Sequence, residues 1–525
     1  MQKVTPHIAR YWQRIDARLD QIGMYRVVTL ALLFLVVCSL ALGTLGLLPY
    51  GPVEQLLSLA STVVVALGLN VLCAKLWRVH ANHESALITA LILFFLIVPA
   101  SLARLELTFI IAAATAVAIL SKYVIAWRRQ HILNPAAAGA VGLAALYALY
   151  PLPPGYFESG WWIAQPALFL PLLLAGSLVV TKVRKWQPVM AFLGVAFVVF
   201  LFEEWRFSGE VLQRAPQFWL SGPSLFLAFF MLTEPFTSPP TTRLQNLYGG
   251  VVGFLSQTTL FLPVLKMTPE LALLIGNATF FPSTLRQKLF LELIEKRRIA
   301  RDTYEFLFKK PAGLRFSAGQ YLEWMLPHTP TDARGVRRYF TIASAPSESV
   351  LRLALKVMPD SSGSTYKDAL CQLDAGEAII ASQLAGDFTL PADRSEKLGF
   401  IAGGIGVTPF VSHVHHMLDS DQTHDTVLYY CNNTCDEIAY HELWERAAAH
   451  FAFSIVHMIT EEAVEPPYEH GFITLETLER RTPDYRDRRW YLSGPPGMVN
   501  AYERLLREAG VPRRQIVKDF FPGLA

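Results

Sequence analysis

Leu398-Gly399-Phe400-Ile401-Ala402-Gly403-Gly404-Ile405-Gly406-Val407-Thr408-Pro409 is the stretch on which the fold turns. A short apolar run that gives way to glycines and then to Thr-Pro reads as a buried strand, a tight loop and the start of a helix. Gly403, Gly404 and Gly406 let backbone come close to a ligand, and the following helix start adds a positive dipole, so the loop suits a pyrophosphate. A Gly-x-Gly alone is weak evidence; here its place after an apolar strand and before Thr408-Pro409 strengthens it. Val427–Cys431 and Trp490–Ser493 are further short strands between helical stretches. That alternation predicts an α/β parallel-sheet nucleotide-binding domain over 393–525.

Upstream, Leu289–Lys296, Glu305–Lys309 and Leu351–Val357 alternate in the manner of strands, and Ala318-Gly319-Gln320-Tyr321 begins another. They predict an antiparallel β-barrel over 284–392, closed by Gly386-Asp387-Phe388-Thr389-Leu390-Pro391. Within it stands Arg338-Tyr339-Phe340-Thr341-Ile342-Ala343-Ser344, and later Gly363-Ser364-Thr365 at a helix start. A planar guanidinium such as that of Arg338 is well matched to phosphate oxygens.

Composition separates a different region from these two. The 525 residues are 52% hydrophobic and 17% charged, against roughly 25% charged in an ordinary soluble domain. From Val27 to Val71 the only charged residue is Glu54, whereas charges become dense after about Leu285. A formal net charge of +3 gives no reason to expect nucleic acid. Apolar runs at 24–48, 53–74, 85–102, 107–127, 136–150, 162–181, 188–202, 217–233, 246–265 and 270–282 predict a polytopic α-helical membrane domain of about ten transmembrane helices over 24–283. A short lead, 1–23, precedes it. Lys and Arg gather in alternate loops, among them Arg14, Arg18, Lys75, Arg78, Arg128, Arg129, Lys182, Arg184 and Lys185, against Arg104, Arg206, Arg214 and Lys266 in the others. The positive-inside rule then puts both termini in the cytoplasm, as in a multi-pass protein of the cell's inner (cytoplasmic) membrane. The five cysteines form no disulfide framework, Cys431-x3-Cys435 lacks two further ligands, and no metal site is expected.

The C-terminal half resembles the ferredoxin–NADP reductase superfamily, on Arg338–Ser344, on Gly403–Pro409, and on Ser493-Gly494-Pro495-Pro496-Gly497-Met498, which is similar to that superfamily's Cys-Gly-Pro-Pro-Gly-Met. The resemblance implies FAD, with FMN the lesser alternative, and NADH or NADPH as hydride donor. It assigns Arg338, Tyr339, Phe340, Thr341, Ser344, Gly363, Ser364 and Thr365 to the flavin. Phe340 would lie on the ring and Thr341 would bond its N5. Gly403, Gly404, Gly406, Thr408, Pro409, Gly494, Pro495, Gly497 and Met498 would face the dinucleotide. Ser493 takes the place of the cysteine beside the nicotinamide, and is grouped with Thr341 and Phe340 at the reacting centre. In the tail Asp519-Phe520-Phe521-Pro522-Gly523, an aromatic, Phe520 or Phe521, would shield the flavin. After the second strand of the layer come Asp436 and Glu437 and no basic residue, which leans towards NADH.

Residues 20–283 resemble the D subunit of Rnf electron-transport complexes and the B subunit of sodium-pumping NADH:quinone reductase. The resemblance rests on His131-Ile132-Leu133-Asn134-Pro135, on Thr233-Glu234-Pro235-Phe236-Thr237-Ser238, and on Asn277-Ala278-Thr279-Phe280-Phe281-Pro282. The same prolines also suit plain helix caps. The family's Ser-Gly-Ala-Thr motif for covalent FMN is missing, so any second flavin in this half is expected to be noncovalent. The whole then reads as a membrane-bound flavin oxidoreductase passing electrons from cytoplasmic NAD(P)H to quinone or another acceptor. Two alternatives stand beside it: a flavin or ion transporter with a redox-sensing domain, and an electron-input subunit acting with membrane electron-transfer partners.

Overall fold

The computed structural model describes residues 22–79, 81–101, 105, 107–127, 130–149, 160–258, 267–283, 288–332, 334–357, 364–420 and 422–519. Contacts divide the chain into two units, Met1–Lys288 and Leu289–Ala525.

The first unit is helical. Met24–Thr44, Pro52–Leu76, Leu107–Val124, Pro166–Val183 and Trp186–Phe207 are long and apolar enough to cross a membrane, and His83–Leu96 and Pro135–Ala145 are shorter apolar helices. Helices Val211–Leu220, Thr242–Gln257 and Pro269–Phe280 are also present. Helix Pro52–Leu76 shows why a bilayer suits this unit. Its inward face carries Gln55, Ser58, Thr62 and Asn70, all buried, while Val53, Leu56, Val64, Val71 and Leu72 point outward and are exposed. Polar groups inside and apolar groups outside invert the pattern of a water-soluble helix and fit a lipid solvent. Gly249 and Gly253 let helix Thr242–Gln257 lie close on helix Trp186–Phe207: a Cβ on Gly253 would stand 2.6 Å from the Phe192 carbonyl oxygen. Small residues four apart are the usual means of such approach in membranes.

Against the expectation of about ten transmembrane helices, five among the described residues are long and apolar enough to cross a membrane. The run 217–233 is not a single helix. Helix Val211–Leu220 ends at Ser221, and a short helical turn, Ser224–Phe226, passes into a π-helical turn, Leu227–Met231. Gly222 and Pro223 explain the break, since proline cannot continue a helix ladder and glycine weakens one. A Cβ on Gly222 would also meet the Phe218 carbonyl oxygen at 2.6 Å. Irregular backbone at such depth is tolerated where protein surrounds it, and Ser224–Met231 is buried throughout.

The second unit begins with a six-stranded antiparallel sheet. Its spatial order is Arg337–Thr341, Tyr321–Met325, Ala378–Ala385, Leu289–Ala300, Thr303–Lys309, Val350–Lys356. Leu289, Leu291 and Leu293 alternate with exposed residues, so one face of that strand packs inward on a core with Phe306, Phe308, Leu322 and Trp324. The two edges are tied beyond the strands: Ala343 N–H donates to the Arg352 carbonyl at 2.9 Å, and Arg352 N–H to Ser344 Oγ at 3.3 Å.

A second six-stranded sheet follows, with neighbours parallel throughout. Its order is Glu469–His470, Phe453–Ile459, Thr426–Asn432, Leu398–Gly403, Arg489–Ser493, Ile516–Lys518. Leu398–Gly403 is buried at every position, as a parallel strand covered on both faces should be. The chain builds outward from this strand on one side, then returns to build on the other. The strand order therefore reverses between Leu398–Gly403 and Arg489–Ser493, and the crevice at such a switch point is where open α/β sheets bind ligands.

Candidate functional site

The two glycine loops meet at that switch point. Strand Leu398–Gly403 leads into a 3-10 turn, Gly404–Val407, and then helix Thr408–Asp419, with Pro409 in its first turn. Strand Arg489–Ser493 leads through Gly494-Pro495 into helix Pro496–Glu508. The loops pack backbone on backbone. A Cβ on Gly406 would stand 2.6 Å from Gly494 Cα, 2.7 Å from Gly494 N and 2.7 Å from the Ser493 oxygen. One on Gly403 would meet Met498 Sδ at 2.5 Å. Gly404 is different: its φ is +52° and nothing lies within 4 Å of the Cβ position. It is the open lip of the crevice, in a left-handed conformation that glycine adopts without strain. Thr408 is buried at the head of its helix, and Gly497, like Gly404, has open space around it.

Ser493 lies beneath these loops, 3% exposed, its hydroxyl donating to Asp519 Oδ2 at 3.1 Å. Burial pushes the Asp519 carboxyl up to about 7, against which the Ser493 hydrogen bond acts weakly. In the sequence Asp519 is one residue of the tail motif, and nothing local marks it for a role. Its significance comes from burial and from a partner 26 residues away, neither of which a local motif displays. Phe520 and Phe521 lie outside the described residues, as does Gly363.

The Asp519 carboxyl gives a pH signature. Unfolded, it would ionise near 4; folded, it stays neutral until about pH 7. Between those values the folded state holds a proton that the unfolded state does not, so its contribution is full below pH 4 and is lost as pH rises through 7. The loss is on the order of 4 kcal/mol at most. Melting temperature of Asp519→Asn should therefore fall less than wild type from pH 4 to 7; parallel profiles would contradict the assignment.

Strand Arg337–Thr341 presents the first motif. Thr341 is buried, and its Oγ1 has no hydrogen-bond partner among the described residues. Tyr366, in helix Thr365–Gln372, is likewise buried with an unpartnered hydroxyl, its ring 6.0 Å from that of half-buried Phe340. Orphaned buried hydroxyls beside a ring of intermediate exposure fit an aromatic cofactor with polar edges. A flavin would take Thr341 at such an edge and Phe340 against its face. Tyr339 reaches sideways instead, its hydroxyl 3.2 Å from Glu323 Oε1 and 3.4 Å from Gln383 Oε1. Gln383, with φ of +51°, sits where the pairing of Tyr321–Met325 with Ala378–Ala385 shifts register.

Three further expected flavin ligands, Ser344, Arg338 and Thr365, also have protein partners. Ser344 is fully buried; its carbonyl accepts from Ser412 Oγ at 2.7 Å and ties the end of the antiparallel sheet to helix Thr408–Asp419. Arg338 donates from Nη1 to the carbonyls of Arg334, Gly335 and Arg337, and from Nη2 to both oxygens of Asp332, at 2.8 and 2.6 Å. Thr365 Oγ1 accepts from Asp332 N–H at 3.0 Å and lies 2.9 Å from His328 Nε2.

In the helical unit the three motifs meet. Glu234 Oε2 accepts from Asn134 Nδ2 at 2.8 Å and from Thr237 Oγ1 at 3.2 Å, and Glu234 Oε1 lies 3.2 Å from His131 Nε2. Asn134 N–H donates to Asn277 Oδ1 at 2.9 Å, and Asn277 Nδ2 to the Tyr248 hydroxyl at 2.8 Å. Lys185 bonds the Thr233 carbonyl and Ser238 Oγ. A cavity of about 60 Å³ lies alongside, lined in part by Ser85, Thr89, Asn134, Thr233 and Glu234.

Residues 400–504 match the oxidoreductase NAD-binding domain, and residues 159–282 match the NQR2, RnfD, RnfE family. The chain is 30% identical over 220 residues to the propane 2-monooxygenase reductase component of Rhodococcus jostii (strain RHA1), covering 40% of this chain and 57% of that one. It is 26% identical over 262 residues to the plasma membrane-associated coenzyme Q6 reductase PGA3 of Saccharomyces cerevisiae (strain ATCC 204508 / S288c), covering 47% of this chain and 82% of that one. Amycolatopsis cytochrome P450 reductase GcoB superposes at a TM-score of 0.40 with 27% identity, over 44% of this chain and 69% of its own. The chain thus spans little more than half of the first of these relatives, and each likeness falls on less than half of the chain. This chain thus joins a helical region that matches the NQR2, RnfD, RnfE family to an oxidoreductase domain of the ferredoxin reductase type, a combination that supports binding of a flavin and a nicotinamide nucleotide.

Proposed function

We infer that the protein is a membrane-bound flavin oxidoreductase that takes hydride from NADH and hands electrons to a membrane acceptor, quinone first among the candidates. The observation that carries this is the crevice at the switch point. It is open at Gly404, closed beneath by the Gly406–Gly494 contact, and part of the same unit as the orphaned Thr341 hydroxyl. When bound, a flavin accepts a hydride and releases electrons singly. The chain's own part is to hold the dinucleotide on Gly403–Thr408 and Gly494–Met498, orient the ring at Thr341 and Phe340, and keep Ser493 fixed by Asp519.

NADH is favoured over NADPH by acids at two strand ends. Asp436 and Glu437 follow strand Thr426–Asn432, and Glu461 and Glu462 follow strand Phe453–Ile459, with Glu462 Oε2 held by Cys435 N–H at 2.9 Å. A 2′-phosphate there would meet carboxylates. With a soluble acceptor such as ferricyanide, NADH should be oxidised at least about tenfold more efficiently than NADPH, one misplaced charge contact being worth about 1.4 kcal/mol. Equal use of the two would overturn this part.

For the membrane domain, the reading is that Glu234 and its neighbours serve the acceptor. The cavity beside them is lined in part by a carboxylate paired with a histidine, which suits proton delivery to a quinone being reduced. The similarity to a coenzyme Q6 reductase supports the choice of quinone. A topology with both termini in the cytoplasm, which the distribution of Lys and Arg supports, would give the nucleotide crevice access to the cell's NADH. A noncovalent second flavin remains the alternative relay.

A further inference from the structure

The loop between strands Tyr321–Met325 and Arg337–Thr341 puts a carboxylate where sequence reasoning places a phosphate. Asp332 has an 11% exposed side chain, and receives Arg338 Nη2 on both oxygens and Arg334 N–H on Oδ1 at 2.8 Å. Its backbone N–H donates to Thr365 Oγ1, at the start of helix Thr365–Gln372. The surroundings are cationic. Arg334 Nη2 lies 3.7 Å from Asp332 Oδ2. Arg334 and Arg338 also act on Lys367 from the next helix, whose Nζ bonds the Lys356 carbonyl at 2.7 Å. Two guanidiniums, a helix start and one internal carboxylate thus form an anion site filled from within.

We propose that Asp332 is an internal competitor for the phosphate of the flavin, and that it sets how tightly this chain retains its cofactor. This rests on the flavin reading of the strand and deepens it. A carboxylate held by a two-pronged guanidinium contact is the closest side-chain mimic of a phosphate. When a flavin phosphate enters, it gains Arg338 only as Asp332 releases it, so the affinity measured is the difference between two ion pairs. Such a site holds flavin more weakly than its count of cations implies, and loses that restraint when Asp332 loses its charge.

The test measures binding of FAD, FMN and riboflavin to the full-length protein, freed of flavin, by fluorescence quenching and by thermal shift. The proteins compared are wild type, Asp332→Asn and Asp332→Glu. The expected result is that Asp332→Asn binds FAD and FMN roughly tenfold tighter, the value of one charge-assisted contact, with riboflavin unchanged and Asp332→Glu close to wild type. Weaker FAD binding by Asp332→Asn would overturn the proposal and make Asp332 a support that orients Arg338. An equal change for riboflavin would also overturn it, because riboflavin carries no phosphate. Riboflavin serves as the control on the underlying reading: if wild type binds none of the three, the flavin site itself is refuted. If Asp332→Asn does not fold, Asp332→Ser provides the same loss of charge with less bulk.

Discussion

Gly406→Val is expected to lower NADH-dependent reduction at least about 100-fold, with flavin still bound. The added carbon atoms would start 2.6–2.7 Å from Gly494 Cα, Gly494 N and the Ser493 oxygen. These are backbone atoms, which cannot swing aside as the end of a side chain can. The Gly403–Val407 turn would be pushed off the Ser493–Gly494 loop, and both walls of the crevice would move. A misplacement of about 1 Å at a hydride-transfer site costs on the order of 100-fold. The orphaned Thr341 hydroxyl is on the other sheet and stays in place, so flavin content separates this outcome from unfolding. Gly404→Ala is the internal contrast: it meets no atom within 4 Å and incurs only the left-handed φ, about 1–2 kcal/mol. Equal activity in Gly406→Val and wild type would show that the nucleotide does not use this crevice.

Glu234→Gln separates the two halves of the function. The substitution keeps the shape and one acceptor oxygen for Asn134 Nδ2, and removes the charge that faces His131 and Thr237. Quinone reduction by NADH should fall about 100-fold, the lower range for loss of a proton-transferring group. Reduction of ferricyanide, which takes electrons directly from a reduced flavin, should be unchanged. If both activities fall together, the cluster supports the fold of the membrane domain and the assignment to the acceptor is wrong. If neither falls, the acceptor is served elsewhere.

Much of this architecture is legible in the chain because it is written locally. The strand Leu398–Gly403 announces itself as an unbroken apolar run entering glycines, and Thr303–Lys309 and Val350–Lys356 lie within a few residues of the alternating segments that foretell them. The break at Ser221-Gly222-Pro223 was equally local, yet a hydropathy window passes over it, because the flanking residues are apolar enough to hide a proline. Three features could not be read this way. Asp332 gains its meaning from folding back on Arg338, Asp519 from burial against Ser493, and Glu462 from reaching the backbone of Cys435 on a neighbouring strand end. Each is a carboxylate whose partner is supplied by tertiary structure, and a carboxylate in a loop otherwise resembles any solvated acid. The converse holds for Ser344 and Arg338. Their motif points to the cofactor, whereas the fold supplies them with protein partners.

The central claim is that one chain carries electrons from NADH through a bound flavin to a membrane acceptor. Its most direct test is anaerobic titration of the detergent-purified full-length protein with NADH, followed by a short-chain quinone, while the visible flavin band is recorded. The account predicts that the band bleaches with NADH and returns with quinone, and that flavin content per chain reports whether the membrane domain holds a second one. No bleaching in a folded, flavin-loaded preparation would contradict the hydride-accepting role. Bleaching with no return would contradict the membrane acceptor.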